Sequence, residues 1–368
     1  MVRPFVHDVP ATRVIFANGS IARVADEVQR LGGKRALLVS GRSEAPFAAT
    51  IAEQLGDRLA GEFTDVVMHV PVETARKAVN AARDVDADVL VALGGGSSTG
   101  IAKAVALETH LPVVAVPTTY AGSEMTTIWG MTENGRKTTG RDAAVLPRTV
   151  IYDPELTLTL PADLSAASGM NALAHLVEGL YAPSVSPVLA AQAEEGVRAL
   201  ASALPRVVAD PADLDARGDA LYGAWLAGWI LGTCGMGVHH KICHTLGGTY
   251  NLAHAPTHSA VIAYATQFNE PYAPEAMSAL VRAFGSAGRS APDAATAVWE
   301  LARDIGAPTS LGSIGFDASS IDEAAAIVVA GSPTNPRPVE LDGVRSLLGA
   351  AYEGARPLGP LPDEPLGV

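Results

Sequence analysis

The sequence predicts a two-domain protein. Residues 1–152 read as an α/β, doubly wound, parallel-sheet (Rossmann-like) dinucleotide-binding domain. Residues 153–355 read as an all-helical substrate and catalytic domain, followed by a Pro-rich tail, 356–368. Three observations carry this prediction. At 368 residues the chain is longer than the roughly 250–300 residues one core usually holds. Up to about residue 152, short β-branched runs alternate with helix-patterned segments, as strands and crossover helices of a parallel sheet do. After Asp153 the β-branched runs stop and only helical spacings remain.

In the first part, RALLVS (35–40) reads as a strand and PFAATIAEQLG as its helix. VVMHVPV (66–72) reads as the next strand, before the helix TARKAVNAARDV. DVLVALGGG (88–96) runs into IAKAVALETH, LPVVAVPTT (111–119) follows, and RTVIYDPEL (148–156) reads as a last strand leading out. In the second part SGMNALAHLVEGLYA, PVLAAQAEEGVRALASALPRVV, DARGDALYGAWLAGWILGTC and DEAAAIVVAG have helical spacing and are separated by Pro and Gly. Ser168 is placed to cap the first of these helices. The tail RPLGPLPDEPLGV is expected to be extended.

Composition narrows the function classes. There are 26 Lys and Arg against 39 Asp and Glu, a net charge of −13, which argues against nucleic acid or an anionic membrane as partner. An anionic substrate therefore needs a local basic pocket. The two cysteines, Cys234 and Cys243, are too few and too far apart for a CxxC site or a disulfide framework. No apolar run has the length of a membrane span, and the N-terminus MVRPFVHDVP lacks a signal-peptide core. A soluble, cytoplasmic protein is expected.

Two features point to chemistry. GGGSSTG (94–100) follows a strand and opens a helix. Glycines there let the main chain approach a diphosphate, and the helix N-terminus supplies N–H donors. Gly94, Gly95, Gly96 and Ser97 are the candidates, with Thr118, Thr119 and Ser123 of PTTYAGSEMT (117–126) completing a dinucleotide groove. The spacing is neither a Walker loop nor GxGxxG. The end of the RALLVS strand offers Ser40, Gly41 and Arg42, with no carboxylate to clamp a ribose 2′-hydroxyl, so both NADH and NADPH stay open.

The second feature is GVHHKICHTLGGTYNLAHAPTH (237–258), with five of the nine histidines. Asn171 and His175 are spaced i, i+4, and His240 and His244 repeat that spacing, so each pair lies on one helix face. With His254 they predict a convergent polar site, either a metal site or an acid–base site.

GGGS, PTTxxGSE, IYDPELTLTLP, GMNALAHxxE and HHKICHTLGG…LAHAPTH resemble the iron-containing alcohol dehydrogenase superfamily, in order, from about residue 10 to 355. Within it, GGGSSTGIAKA, GRKTTGRDAAVLP, HHKICHTLGG and SPTNPRPV are most similar to the maleylacetate reductase family. The resemblance implies the dehydroquinate synthase-like, iron-containing alcohol dehydrogenase fold, NAD(P)H, and a homodimer. It adds Lys137 to the cofactor candidates. The metal ligands of metal-dependent members, one Asp and three His, fall on Asn171, His175, His240 and His254, with His244 nearby. Asn171 lacks the carboxylate, and Gly100 stands where metal-dependent members carry an Asp. Three imidazoles without an anionic ligand hold a hard cation weakly, so no metal is expected.

The implied reaction is reduction of the carbon–carbon double bond of maleylacetate to 3-oxoadipate, in the degradation of aromatic compounds. His175, His240, His244 and His254 would be the donors. Lys241 would serve catalysis and, with Asn171 and Arg337, hold the dicarboxylate substrate. Three alternatives are a metal-dependent alcohol or polyol dehydrogenase, a dehydroquinate synthase-like lyase, and a histidine-rich metal buffer without enzymatic activity. The second lacks the expected phosphate-binding lysines, and the third leaves GGGS and PTT without purpose.

Overall fold

The structure, a computed structural model, describes residues 5–133, 136–359 and 361, with the side chains of Arg136 and Lys137 outside the description. The chain divides into two compact units. One is Val9–Leu160; the other begins at Pro161 and takes in the N-terminal residues up to Asp8, where His7 Nδ1 lies 3.1 Å from Ser186 Oγ.

The first unit contains β1 (Arg13–Phe16), α1 (Val24–Arg30), β2 (Ala36–Ser40), α2 (Ala45–Leu55), β3 (Leu59–Phe63), α3 (Val72–Asp84), β4 (Val89–Gly94), α4 (Gly96–Thr109), β5 (Val113–Pro117), β6 (Ile128–Glu133), β7 (Arg136–Arg141) and β8 (Thr149–Tyr152). Six strands form one sheet in the order β1-β8-β5-β4-β2-β3, each neighbouring pair parallel. The sheet is apolar on both faces because helices cover both. Leu37, Val39, Leu90, Ala92 and Val113 pack under α3 and α4. Alternate residues Ala36, Leu38, Val89, Val91 and Val114 pack with α1 and α2.

The strand expected at 66–72 is not there. Its place is taken by LAGEF, β3, an edge strand paired only with β2, and half-buried edge strands need no continuous apolar run. In the 66–72 segment, Val67 and Met68 are exposed, and His69 and Val70 adopt positive φ before Pro71. RTVIYDPEL supplies β8, the last strand, which lies between β1 and β5 in the sheet and leads out to the helices. The turn after it is held by the Asp153 carboxylate, which accepts from the main-chain N–H of Gly19, Ile21 and Glu155. Strand β1 and the antiparallel β6–β7 hairpin are further elements that the reading of the sequence passed over.

The second unit contains α5 (Ala162–Leu180), α6 (Pro187–Ala209), α7 (Leu214–Thr233), α8 (Val238–Tyr250), α9 (His254–Asn269), α10 (Pro274–Ser286), α11 (Ala294–Asp304), α12 (Ile321–Ala330) and α13 (Leu341–Glu353). Helix α5 is its axis, buried from Ser165 to Leu180 except at Ser168 and packed against α6, α7 and α9. It starts after Pro161, so Ser168 lies inside the helix rather than capping it. The preceding PADLSAA is also a good helix former, and Pro161 sets the boundary. No single helix among the described residues is long and apolar enough to cross a membrane. Of the tail, residues up to 359 and Leu361 are described and are irregular; the rest lies outside the described residues.

Candidate active site

In the first unit the site is built mainly from the backbone. Strand β4 ends at Gly94, whose φ of 131° is open to glycine and closed to ordinary side chains. A Cβ there would stand 2.5 Å from Ser98 Oγ. Helix α4 then begins with Gly95 as its N-cap and no side chain covering its first N–H groups, which leaves those donors to a ligand. Thr118 N–H donates to Gly94 O at 3.3 Å, so the GGGS and PTT turns meet at adjacent strand ends. Gly94, Gly95, Gly96, Ser97, Thr118 and Thr119 thus lie together, and the cradle fits a dinucleotide diphosphate. Ser123 opens the turn beyond and binds Lys103 through its carbonyl. Ser40 is buried at the end of β2 and Arg42 is exposed just after it. The side chain of Lys137 lies outside the described residues.

Two features of this unit went unread in the sequence. Glu44 lies four residues beyond β2, yet its carboxyl carbon would stand 3.5 Å from a Cβ on Gly94. A carboxylate does therefore sit at this strand end, brought back by the 42–44 turn. Beneath the cradle, fully buried Lys103 donates to Ser123 O, Thr126 O, Thr126 Oγ1 and Ile128 O at 2.6–2.9 Å. Burial pushes its pKa down to about 7, against the nearby Glu124 charge. Glu124, 1% exposed, accepts from Tyr152 O–H at 2.8 Å. Burial pushes its carboxyl up, while Tyr152 and Lys103 oppose the rise. This buried ammonium ties the PTT turn to α4.

In the second unit the site is built from side chains. His240 stacks on His175 at 5.0 Å between ring centroids, and His244 stands edge-on to His240 at 6.1 Å. His258 lies 4.9 Å from His240 and His254 lies 4.3 Å from His258. The four histidines singled out from the sequence therefore converge, with His239 and His258 completing six rings. His244 and His254 are exposed, whereas His175 and His240 are buried and His239 and His258 are sealed. Burial first, and neighbouring imidazoles second, hold His175, His239 and His258 well below the ordinary histidine pKa. These rings are neutral at pH 7. Buried Asn171 Oδ1, His175 Nδ1 and His240 Nε2 have no hydrogen-bond partner among the described residues. Groups so buried normally find one, so these atoms are candidates to meet a ligand.

His240 is held by Glu178, which is fully buried on α5. Its Oε2 lies 2.5 Å from His240 Nδ1, and it also receives the main-chain N–H of His239 and His240. Glu178 is three residues past His175, on the same helix face. That spacing was visible in GMNALAHLVE, but nothing local said which histidine it would meet.

The two cationic candidates part company. Lys241, half-buried, lays its side chain over Gly331 at the end of α12, where a Cβ would stand 2.2 Å from Nζ. No carboxylate among the described residues is within ion-pair distance of it. Arg337, expected to hold a substrate carboxylate, is only 5% exposed. Its guanidinium lies 4.3 Å over the Phe268 ring and donates to the carbonyls of Phe268 and Leu361. It anchors the 334–337 segment to the end of α9, because a buried guanidinium must satisfy its donors locally.

The residues fit a resident iron poorly. His239, His240 and His258 bring ring nitrogens within 4.8 Å of one another, yet His239 Nε2 and His258 Nδ1 are hydrogen-bonded to each other at 3.0 Å. The carboxylate in reach, Glu178, is spent on His240 and on α8. What remains is an amide oxygen and imidazoles, without a further anionic donor among the described residues for a hard divalent ion.

A glycine turn between strand and helix, joined to an imidazole-rich helical unit, defines a nicotinamide-dependent oxidoreductase. Residues 11–154 match the model of the iron-containing alcohol dehydrogenases, and residues 165–352 match that of the Fe-containing alcohol dehydrogenase family, C-terminal. The chain belongs to the iron-containing alcohol dehydrogenase family and is an NAD(P)H-dependent oxidoreductase. It is 52% identical to a maleylacetate reductase of Sphingobium indicum, over 96% of this chain and 99% of that protein. It is 47% identical to maleylacetate reductase 1 of Cupriavidus pinatubonensis, over 97% and 99%. Among solved structures it superposes on a maleylacetate reductase from Rhizobium sp. strain MTP-10005 with TM-score 0.92 and 46% identity, covering 96% and 100%. A putative alcohol dehydrogenase from Ralstonia eutropha gives TM-score 0.93 and 52% identity, covering 96% and 99%.

Proposed function

We propose that this enzyme reduces the carbon–carbon double bond of maleylacetate to 3-oxoadipate without a metal. The observation that carries the metal-free part is the donor set itself: Asn171 with buried imidazoles, and Glu178 already engaged. A ketone conjugated to an alkene needs less polarisation than an isolated carbonyl, so hydrogen-bond donors can serve where a Lewis acid otherwise would.

The bound nicotinamide supplies a hydride to the alkene carbon β to the ketone. His175, the Asn171 amide N–H and His240, which donates from Nε2 when the ring carries a proton there as well as on Nδ1, surround the ketone oxygen and meet it as it becomes an enolate. A proton then goes to the carbon α to the ketone, completing 3-oxoadipate. Exposed His244 and His254 exchange that proton with water, which the sealed His239 and His258 do not. Lys241 pairs with a substrate carboxylate, and Arg337 keeps the 334–337 segment in place. In the other unit Gly94–Ser97, Thr118, Thr119 and Ser123 hold the diphosphate. Ser40 and Arg42 border the adenosine end, where Glu44 favours NADH by accepting from the ribose 2′-hydroxyl and repelling a 2′-phosphate.

Turnover of maleylacetate with each nicotinamide, measured before and after exhaustive chelation on a sample of known metal content, tests this reading. Activity should persist in EDTA. Loss in EDTA with recovery on zinc or iron would favour the second reading, a metal-dependent alcohol dehydrogenase, for which the three clustered ring nitrogens speak. The enzyme is further read as a cytoplasmic homodimer. The free, buried Cys234 and Cys243 suit the first point, and the face of α7 carrying Tyr222, Trp225 and Trp229 beside exposed Val188 suits the second. A monomer by light scattering would rule out the homodimer.

A further inference from the structure

The geometry assigns Glu178 as the positioning residue of the site: its carboxylate holds the proton on His240 Nδ1 and so turns Nε2 toward the substrate. The assignment rests on the proposed reduction for its consequence and on geometry for its substance. Glu178 Oε2 lies 2.5 Å from His240 Nδ1, while Oε1 accepts the main-chain N–H of His239 at 2.9 Å. Tyr181 O–H lies 3.5 Å from Oε1. The main-chain bonds alone would make Glu178 a cap supplied to α8 from a neighbouring helix. They do not account for the ring contact. A carboxylate can only accept, so Nδ1 must carry hydrogen in every charge state of His240. That leaves Nε2 as the atom that trades a proton with substrate, and it is the ring's unpartnered nitrogen. A ring held this way cannot flip between tautomers during turnover.

Glu178→Gln separates positioning from capping. The amide oxygen can still receive the His239 N–H, but its NH₂ then faces Nδ1 and forces the hydrogen to Nε2. We expect kcat to fall by about 10²-fold or more, with KM for NADH within about twofold and thermal unfolding little changed. A second route uses the cavity of about 240 Å³ that Glu178 lines with Tyr181, Met236, Gly237 and Thr334. In Glu178→Ala, formate at high concentration should enter it and restore part of the lost kcat, but should not help His240→Ala. A third measurement needs no Glu178 variant. In ¹⁵N-histidine-labelled parent protein, a protonated Nδ1 signal should be present, and it should vanish in His240→Gln.

Three outcomes overturn the assignment: Glu178→Gln turning over within about threefold of the parent, formate failing to rescue folded Glu178→Ala, or an unprotonated His240 Nδ1 in the parent. If Glu178 variants do not fold, the nitrogen shift alone decides. A parent enzyme inert toward maleylacetate would instead sink the proposed reaction and leave the tautomer measurement standing.

Discussion

In the proposed assignment the groups of the α/β unit that face the ligand are main-chain amides, with Gly94, Gly95 and Gly96 keeping side chains away. In the helical unit they are side-chain atoms of Asn171, His175 and His240, held inside by burial and by Glu178. A diphosphate carries its charge throughout the reaction, so fixed dipoles at a helix N-terminus suffice for it. An enolate develops charge only in passing, and meeting it takes donors oriented in advance. One site is therefore made by removing side chains, the other by crowding them. The two should fail differently when altered.

The largest effect is expected in the crowded site. Replacing His240, a preorganised donor, or His254, which relays the proton, by Ala should lower kcat by roughly 10²–10³, with little change in cofactor binding. Steady-state kinetics with maleylacetate and NADH measures both. If His239→Ala or His258→Ala, which alter the sealed rings, cost as much at unchanged stability, the division between working and packing histidines would fall.

The cradle should fail in binding. Gly94→Ala puts a Cβ into Ser98 and strains the main chain, which we expect to raise KM for NADH by about tenfold or more while kcat falls less. An equal fall in kcat at saturating NADH would mean that the turn also orients the reacting groups. A smaller effect belongs to Glu44. Glu44→Gln should raise the ratio of NADPH to NADH efficiency several-fold, the equivalent of about 1 kcal/mol, which is the net contribution of a typical hydrogen bond. An unchanged ratio would leave Glu44 as a turn residue only.

The smallest effect concerns the scaffold of the α/β unit. Glu27, 2% exposed, binds Arg30, Thr149 and Arg13. Burial alone would raise its pKa, but the bonds from Arg30 and Thr149 and the two guanidinium charges outweigh burial and lower it. A carboxylate lowered on folding adds stability above its unfolded pKa and loses it as pH falls through the folded value. Glu27→Gln should therefore be less stable than the parent near pH 7, with the gap closing below about pH 4. Urea unfolding at several pH values checks this, and a gap that widens on acidification would contradict it.

How much of this was legible beforehand differs between the two regions. The phosphate turn could be read from GGGS, because a strand, a glycine run and a helix start are consecutive in the chain and dictate the geometry locally. The Asn171–His175 and His240–His244 pairs could be read too, since a helix places i and i+4 on one face whatever surrounds it. Strand β3 could not. LAGEF has no strand pattern of its own, and VVMHV does, until the edge of the sheet and Pro71 decide between them. Ser168 looked like a cap only while the helix was thought to begin there.

The sequence by itself thus determined the order of elements in outline, the cofactor turn, the family, and which histidines share a helix face. Each depends on residues a few positions apart. Tertiary structure alone decided that Glu44 returns to Gly94, that Arg337 serves its own main chain, and that Glu178 meets His240 from 62 residues away. It also decided which imidazoles are sealed and which meet solvent. Those are questions of who fills the space beside a side chain. That space is filled by residues from distant parts of the chain, whose pairing no local spacing encodes.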